Sequence, residues 1–120
     1  MTLTAIILTL VMTIFPSDVE SLINSDSKVI DAECLVVGDM VVIAVKTEPL
    51  FFRSDRIRLI EKLKSDVKSR YDVSEVMITF DRDIYYKISK IDMLIAEGLT
   101  EEQLRSDIIA LVETVKSREL

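Results

Sequence analysis

From Met40 to Val45 the chain carries an unbroken apolar run, Met-Val-Val-Ile-Ala-Val, which opens behind Gly38-Asp39 and closes at Lys46. A strand with one wet face alternates apolar and polar side chains. A continuous run requires burial on both faces, or at least a central place in a sheet. The Gly-Asp pair suits a two-residue hairpin with a positive φ at the glycine. Val29 to Val37 is then the first strand, and Met40 to Lys46 is its partner.

The remaining elements follow from caps and spacing. Ser17-Asp18-Val19-Glu20 has the form of a capping box, predicting a short helix over about 18–24 with Val19, Leu22 and Ile23 inward. Asn24 to Ser27 reads as a polar linker, and Thr47 to Arg53 as a loop. Ser54 is expected to cap a helix ending near Arg70, with Ile57, Ile60, Leu63, Val67 and Tyr71 on its inner stripe. Val73 to Phe80 reads as the third strand. Asp81 starts a helix with Ile84, Ile88, Ile91 and Ile95 inward, and Gly98 ends it. Thr100-Glu101-Glu102-Gln103 forms a second capping box, opening a last helix that buries Leu104, Ile108, Leu111 and Val115. The order is α-β-β-α-β-α-α. The expected fold is α+β, a three-stranded sheet with helices packed mainly on one face.

Ahead of this lies an apolar stretch, Met1 to Phe15, without a charged side chain. It is short of the roughly 20 residues of a spanning helix. It has the length of a secretory apolar region but neither a basic start nor a small-residue cleavage site. Three readings stay open: a signal or membrane anchor, a buried strand or helix of the domain, or a start placed downstream of a lost basic segment. Residues 1–16 are accordingly set apart from a single α/β domain over 17–120, a length that suits one core.

Composition excludes several function classes. With 49% hydrophobic and 30% charged residues the chain is a packed globule rather than a disordered one. A net charge of −6 disfavours a nucleic-acid partner. The chain has no histidine, which removes the commonest general base, the usual zinc nitrogen ligand and any Ser-His or Cys-His nucleophile pair. No two acidic residues are placed by sequence at an obvious shared cleft, so an enzyme using carboxylates ranks last. A single cysteine, Cys34, rules out an internal disulfide.

The candidate residues each have a functional and a structural reading. Thr79, Asp81 and Asp83 alternate oxygen ligands at a strand end, as a hard cation requires, but EF-hand spacing and its glycine are missing. Asp81 as a helix cap and Asp83 as a first-turn dipole partner is the expectation. Cys34 is expected to be a buried, unreactive thiol. Tyr71, Tyr85 and Tyr86 are expected at core edges with wet hydroxyls. Leu50-Phe51-Phe52 is either a lid folded over the sheet end or an exposed contact patch, with the lid preferred. Gly38 and Gly98, the chain's two glycines, exclude a Gly-rich phosphate loop. No catalytic, cofactor-binding or metal-binding residue is therefore assigned.

From Val42 onward, Val42-Ile43-Ala44-Val45-Lys46, a helix, Val73 to Asp83, the isoleucine-spaced helix, Gly98 and the final helix together resemble the YhcN/YlaJ family of sporulation lipoproteins. The resemblance implies association with the spore or its envelope in an endospore-forming bacterium, without an established enzymatic activity. That family carries lipid on a cysteine preceded by a small residue. Cys34 follows Glu33 inside a predicted strand, so lipidation is not carried over to it. The expected function is a non-catalytic envelope protein acting through protein contacts. Self-association of the ring-building kind is the alternative, from the similar order of elements. The expected partners are a protein or a second copy, with membrane association through residues 1–15 and no nucleic acid or small-molecule substrate. A cytoplasmic location is the alternative to the envelope.

Overall fold

A computed structural model describes residues 14–118. The signal, anchor or core element expected over residues 1–15 lies outside them up to residue 13. The elements are α1 (Pro16–Asn24), β1 (Val29–Val37), β2 (Met40–Thr47), α2 (Arg53–Arg70), β3 (Glu75–Thr79), α3 (Arg82–Ala96) and α4 (Arg105–Ser117). This is the expected α+β order.

The three strands lie in the order β1-β2-β3, with the apolar run at the centre. β1 pairs antiparallel with β2 through the turn at Gly38, whose φ is +62°. β2 pairs parallel with β3, Val42 standing opposite Met77 and Ile43 opposite Ile78. A parallel pair needs a crossover, and α2 provides it. β3 starts two residues later than predicted because the Ser74 N–H donates to the Asp39 carbonyl in the hairpin turn, at 2.9 Å.

Helix placement departs from the one-faced packing expected from the sequence. The helices do not gather on one face of the sheet but divide evenly between both. Val41, Ile43, Val45, Val76 and Ile78 pack with Val19 and Ile23 of α1 and Leu59, Leu63 and Val67 of α2. Val42, Ala44 and Met77 pack instead with Ile84, Ile88 and Ile91 of α3 and Ile108, Leu111 and Val115 of α4. Width explains the division. Three strands about 4.8 Å apart leave room for no more than two helices, each about 10 Å across, on either face. Every side chain from Val41 to Val45 is buried, as the unbroken run demands.

Helix starts also differ in detail. Pro16 occupies the first turn of α1 behind Phe15, so Ser17 makes no cap and its carbonyl accepts from the Ser21 hydroxyl at 3.0 Å. Phe52 rather than Ser54 precedes α2. Its inner stripe is Leu59, Leu63 and Val67, with Ile60 half-buried beside it and Ile57 turned outward. The Arg56 guanidinium donates to the Leu50 carbonyl at 3.2 Å and fixes this roll in the first turn. Thr100 and Gln103 do make the reciprocal bonds of a capping box, 2.8 and 3.2 Å, but these close a turn and α4 begins only at Arg105. Gly98, with φ +106°, ends α3 as predicted. The Leu99 N–H then reaches back to the Leu94 carbonyl, and the Gly98 N–H to that of Ile95.

Candidate functional site

The Thr79-Asp81-Asp83 step is a helix start. The Asp81 carboxylate accepts the Asp83 N–H at 2.9 Å, and the Thr79 hydroxyl accepts the Asp81 N–H at 3.1 Å. Arg118 pairs with Asp81, and Lys87 with Asp83 at 3.1 Å, so both carboxylates face cations of the chain itself. The Arg118 guanidinium, with the capped N–H behind it, holds the Asp81 carboxyl below its ordinary range. Asp81→Ala is expected to destabilise the fold by about 0.5–2 kcal/mol, the usual worth of a cap. Ca²⁺ or Mg²⁺ should leave the wild-type melting temperature unchanged. A divalent-ion shift that Asp83→Ala abolishes would contradict this account.

Cys34 is fully buried in β1, and burial, followed by the nearby carboxylates, pushes its thiol far up from its ordinary range. Such a thiol, closed to solvent, is unreactive. The tyrosines part company. Tyr85 is buried on α3 and donates its hydroxyl to Asp31, whereas Tyr71 is half-buried and Tyr86 lies exposed. Lys46, opposite Asp31 in the β1–β2 ladder, sits 4.0 Å from the Tyr85 ring centre and 5.0 Å from that of Tyr86.

The structure also joins residues that the sequence left apart. Glu20 on α1, Glu33 on β1 and Asp92 on α3 each place a carboxylate oxygen within 4.8 Å of the others. α1 packs along β1 on one face and α3 on the other. β1 is an edge strand, so the three carboxylates meet around its open side. There Glu20 accepts the unpaired Cys34 N–H at 3.4 Å. Asp92 and Glu33 lie within hydrogen-bonding reach and share a proton as a pair. Burial, then the Glu33 bond and charge, lift the Asp92 carboxyl to about 7. Burial likewise raises Glu20, with Glu33 adding to it, and raises Glu33. Like charges this close cannot all ionise at little cost, so the group keeps a proton into the neutral range. Fully deprotonated, the three could hold a hard cation; with the proton in place they satisfy one another. None of the concavities described below is lined by them.

Sequence spacing hid this cluster because its members stand 13 and 59 positions apart. A signal was nonetheless present. Asp92 follows Ile84 and Ile88 at steps of four, placing a carboxylate on the inner stripe of α3.

The sheet end where β2 and β3 both finish is different in character. A concavity of about 560 Å³ there is lined by Lys46, Arg56 and Arg82 against one carboxylate, Glu48, with Tyr85 and Tyr86 among its walls. The preferred lid over this end is not formed. Leu50 packs inward against the α1–α2 side of the core, but Phe51 and Phe52 are 87% and 69% exposed. Phe51 and Phe52 therefore form an exposed apolar patch, the alternative to the lid.

Among the described residues, no helix is long and apolar enough to cross a membrane. Comparison with individually curated proteins gives no match. The family model of the sporulation lipoproteins YhcN/YlaJ matches residues 17–116, from the first turn of α1 to the last turn of α4, so the chain belongs to that family of sporulation lipoproteins.

Proposed function

We propose that this protein is a non-catalytic component of the spore envelope or its membrane in an endospore-forming bacterium, working by contact with another protein or a second copy of itself. Membership of a sporulation lipoprotein family supports the setting. The contact reading rests on the groove between α3 and α4. It encloses about 290 Å³ over an apolar floor of Ile91, Leu94, Ala110 and Leu111, with Lys87, Lys90 and Asp107 among its other lining residues. An apolar floor beside charged residues, open along about two turns of each helix, has the form that accepts a partner helix. The absence of histidine supports the non-catalytic part, because it removes the commonest general base and any Ser-His or Cys-His nucleophile pair.

Complementation of an endospore-forming strain lacking the gene tests both parts, read as spore yield and germination. Ala110 is exposed, so Ala110→Arg fills the groove without touching the core. It should fail to complement while folding normally by circular dichroism. The chain carrying Glu20→Gln, Glu33→Gln and Asp92→Asn should complement fully. The reverse pattern, with the amide chain inactive and Ala110→Arg active, would point to carboxylate chemistry and end the contact reading.

A further inference from the structure

We infer that the Phe51-Phe52 end of the sheet docks onto an anionic lipid surface. This goes beyond the groove reading and uses none of its residues. Two exposed phenylalanines side by side are costly in water and call for a cover. They are held out by their surroundings: Leu50 is anchored in the core, the Arg56 side chain grips the Leu50 carbonyl, and the Arg56 N–H bonds the Phe52 carbonyl at 3.3 Å. Ile30, 64% exposed, and Tyr86 extend the apolar surface across the adjoining concavity.

Charge decides the nature of the cover. Arg53 follows Phe52 directly, and Lys46, Arg56 and Arg82 line the concavity against Glu48 alone. The chain as a whole carries −6, so an anionic surface repels most of it and accepts it by this end. A second copy would present the same cations and oppose them. Aromatic side chains at the acyl boundary, with arginine and lysine at headgroup level, are the elements by which a peripheral protein lies on an anionic bilayer.

The chain has no tryptophan, so Phe52→Trp introduces a single reporter into the full-length protein. Vesicles of phosphatidylcholine with 30% phosphatidylglycerol should shift its emission to the blue. Pure phosphatidylcholine vesicles should not, and high salt should reverse the shift. Arg53→Gln and Arg82→Gln should each weaken partitioning onto the anionic vesicles by about fivefold, the usual worth of one cation near such a surface. Both side chains are exposed, so folding is unaffected. Sedimentation with anionic vesicles without a blue shift would overturn the inference, because binding would then run through another part of the chain. An equal shift on neutral vesicles would overturn its electrostatic basis. A shift that grows with protein concentration in the absence of lipid would show that this end pairs with protein instead.

Discussion

Leu63→Ala is expected to lower the folding free energy by about 2–5 kcal/mol, and Ile60→Ala, three positions earlier on the same helix, by about 1 kcal/mol. Leu63 is fully buried between α2 and the sheet, where its removal leaves a cavity that close-packed neighbours cannot fill. Ile60 is half-buried at the margin of the same cluster, so solvent and mobile side chains can occupy the space it vacates. Ile88→Ala, fully buried on the opposite face, should cost as much as Leu63→Ala. The two sites lie in separate clusters divided by the sheet, so the double variant should lose their sum to within about 0.5 kcal/mol. Urea denaturation of the four variants checks these values. A larger loss at Ile60 than at Leu63 would mean that α2 is rolled toward the stripe expected from sequence.

That roll shows where sequence spacing runs out. The expected stripe Ile57-Ile60-Leu63-Val67-Tyr71 and the observed Leu59-Leu63-Val67 share Leu63 and Val67 and differ by part of a turn in the first half of the helix. Periodicity alone does not choose between them; the Arg56 bond to the Leu50 carbonyl is a tertiary choice. Strong local signals did carry through. The central strand, the hairpin at Gly38, the Asp81 cap and the Gly98 stop each depend on a few neighbouring residues and appear as read. The Ser17 capping box failed because Pro16 starts the helix two residues sooner, displacing the hydroxyl from the cap position. The division of helices between two faces was implicit in the unbroken run of β2, which asks for cover on both sides. The exposed Phe51-Phe52 pair was legible as two alternatives and no further, because a lid and a patch have the same sequence. Glu20, Glu33 and Asp92 come together only once α1 and α3 lie on opposite faces of one edge strand.

Their proximity makes the fold sensitive to pH in a direction opposite to that of most paired carboxylates. Asp92 titrates at about 7 when folded, because burial and the neighbouring Glu33 and Glu20 charges disfavour its ionised form. In the unfolded chain it returns to the ordinary aspartate range near 4. Below about 4 the group is protonated in both states and contributes nothing to the difference. Between about 4 and about 7 the folded state binds more proton than the unfolded one, so stability falls as pH rises; above about 7 the loss is complete. Asp92 is only half-buried, and solvent screening reduces the loss to about 1–2 kcal/mol. Glu33 and Glu20 are raised by burial as well and add in the same sense. Urea midpoints should therefore decline from pH 5 to pH 8 in the wild type. Asp92→Asn keeps the shape and the donor to Glu33 but carries no charge at any pH. It should flatten most of that decline and leave the variant more stable than the wild type at pH 8. Only near pH 4 and below, where Asp92 is protonated in both folded and unfolded states, should the two be nearly equal. A variant that retains the full slope would place the sensitivity elsewhere in the chain. One that is less stable than the wild type at pH 8 would show that ionised Asp92 is held by a favourable partner, such as a bound cation, and not opposed by its neighbours.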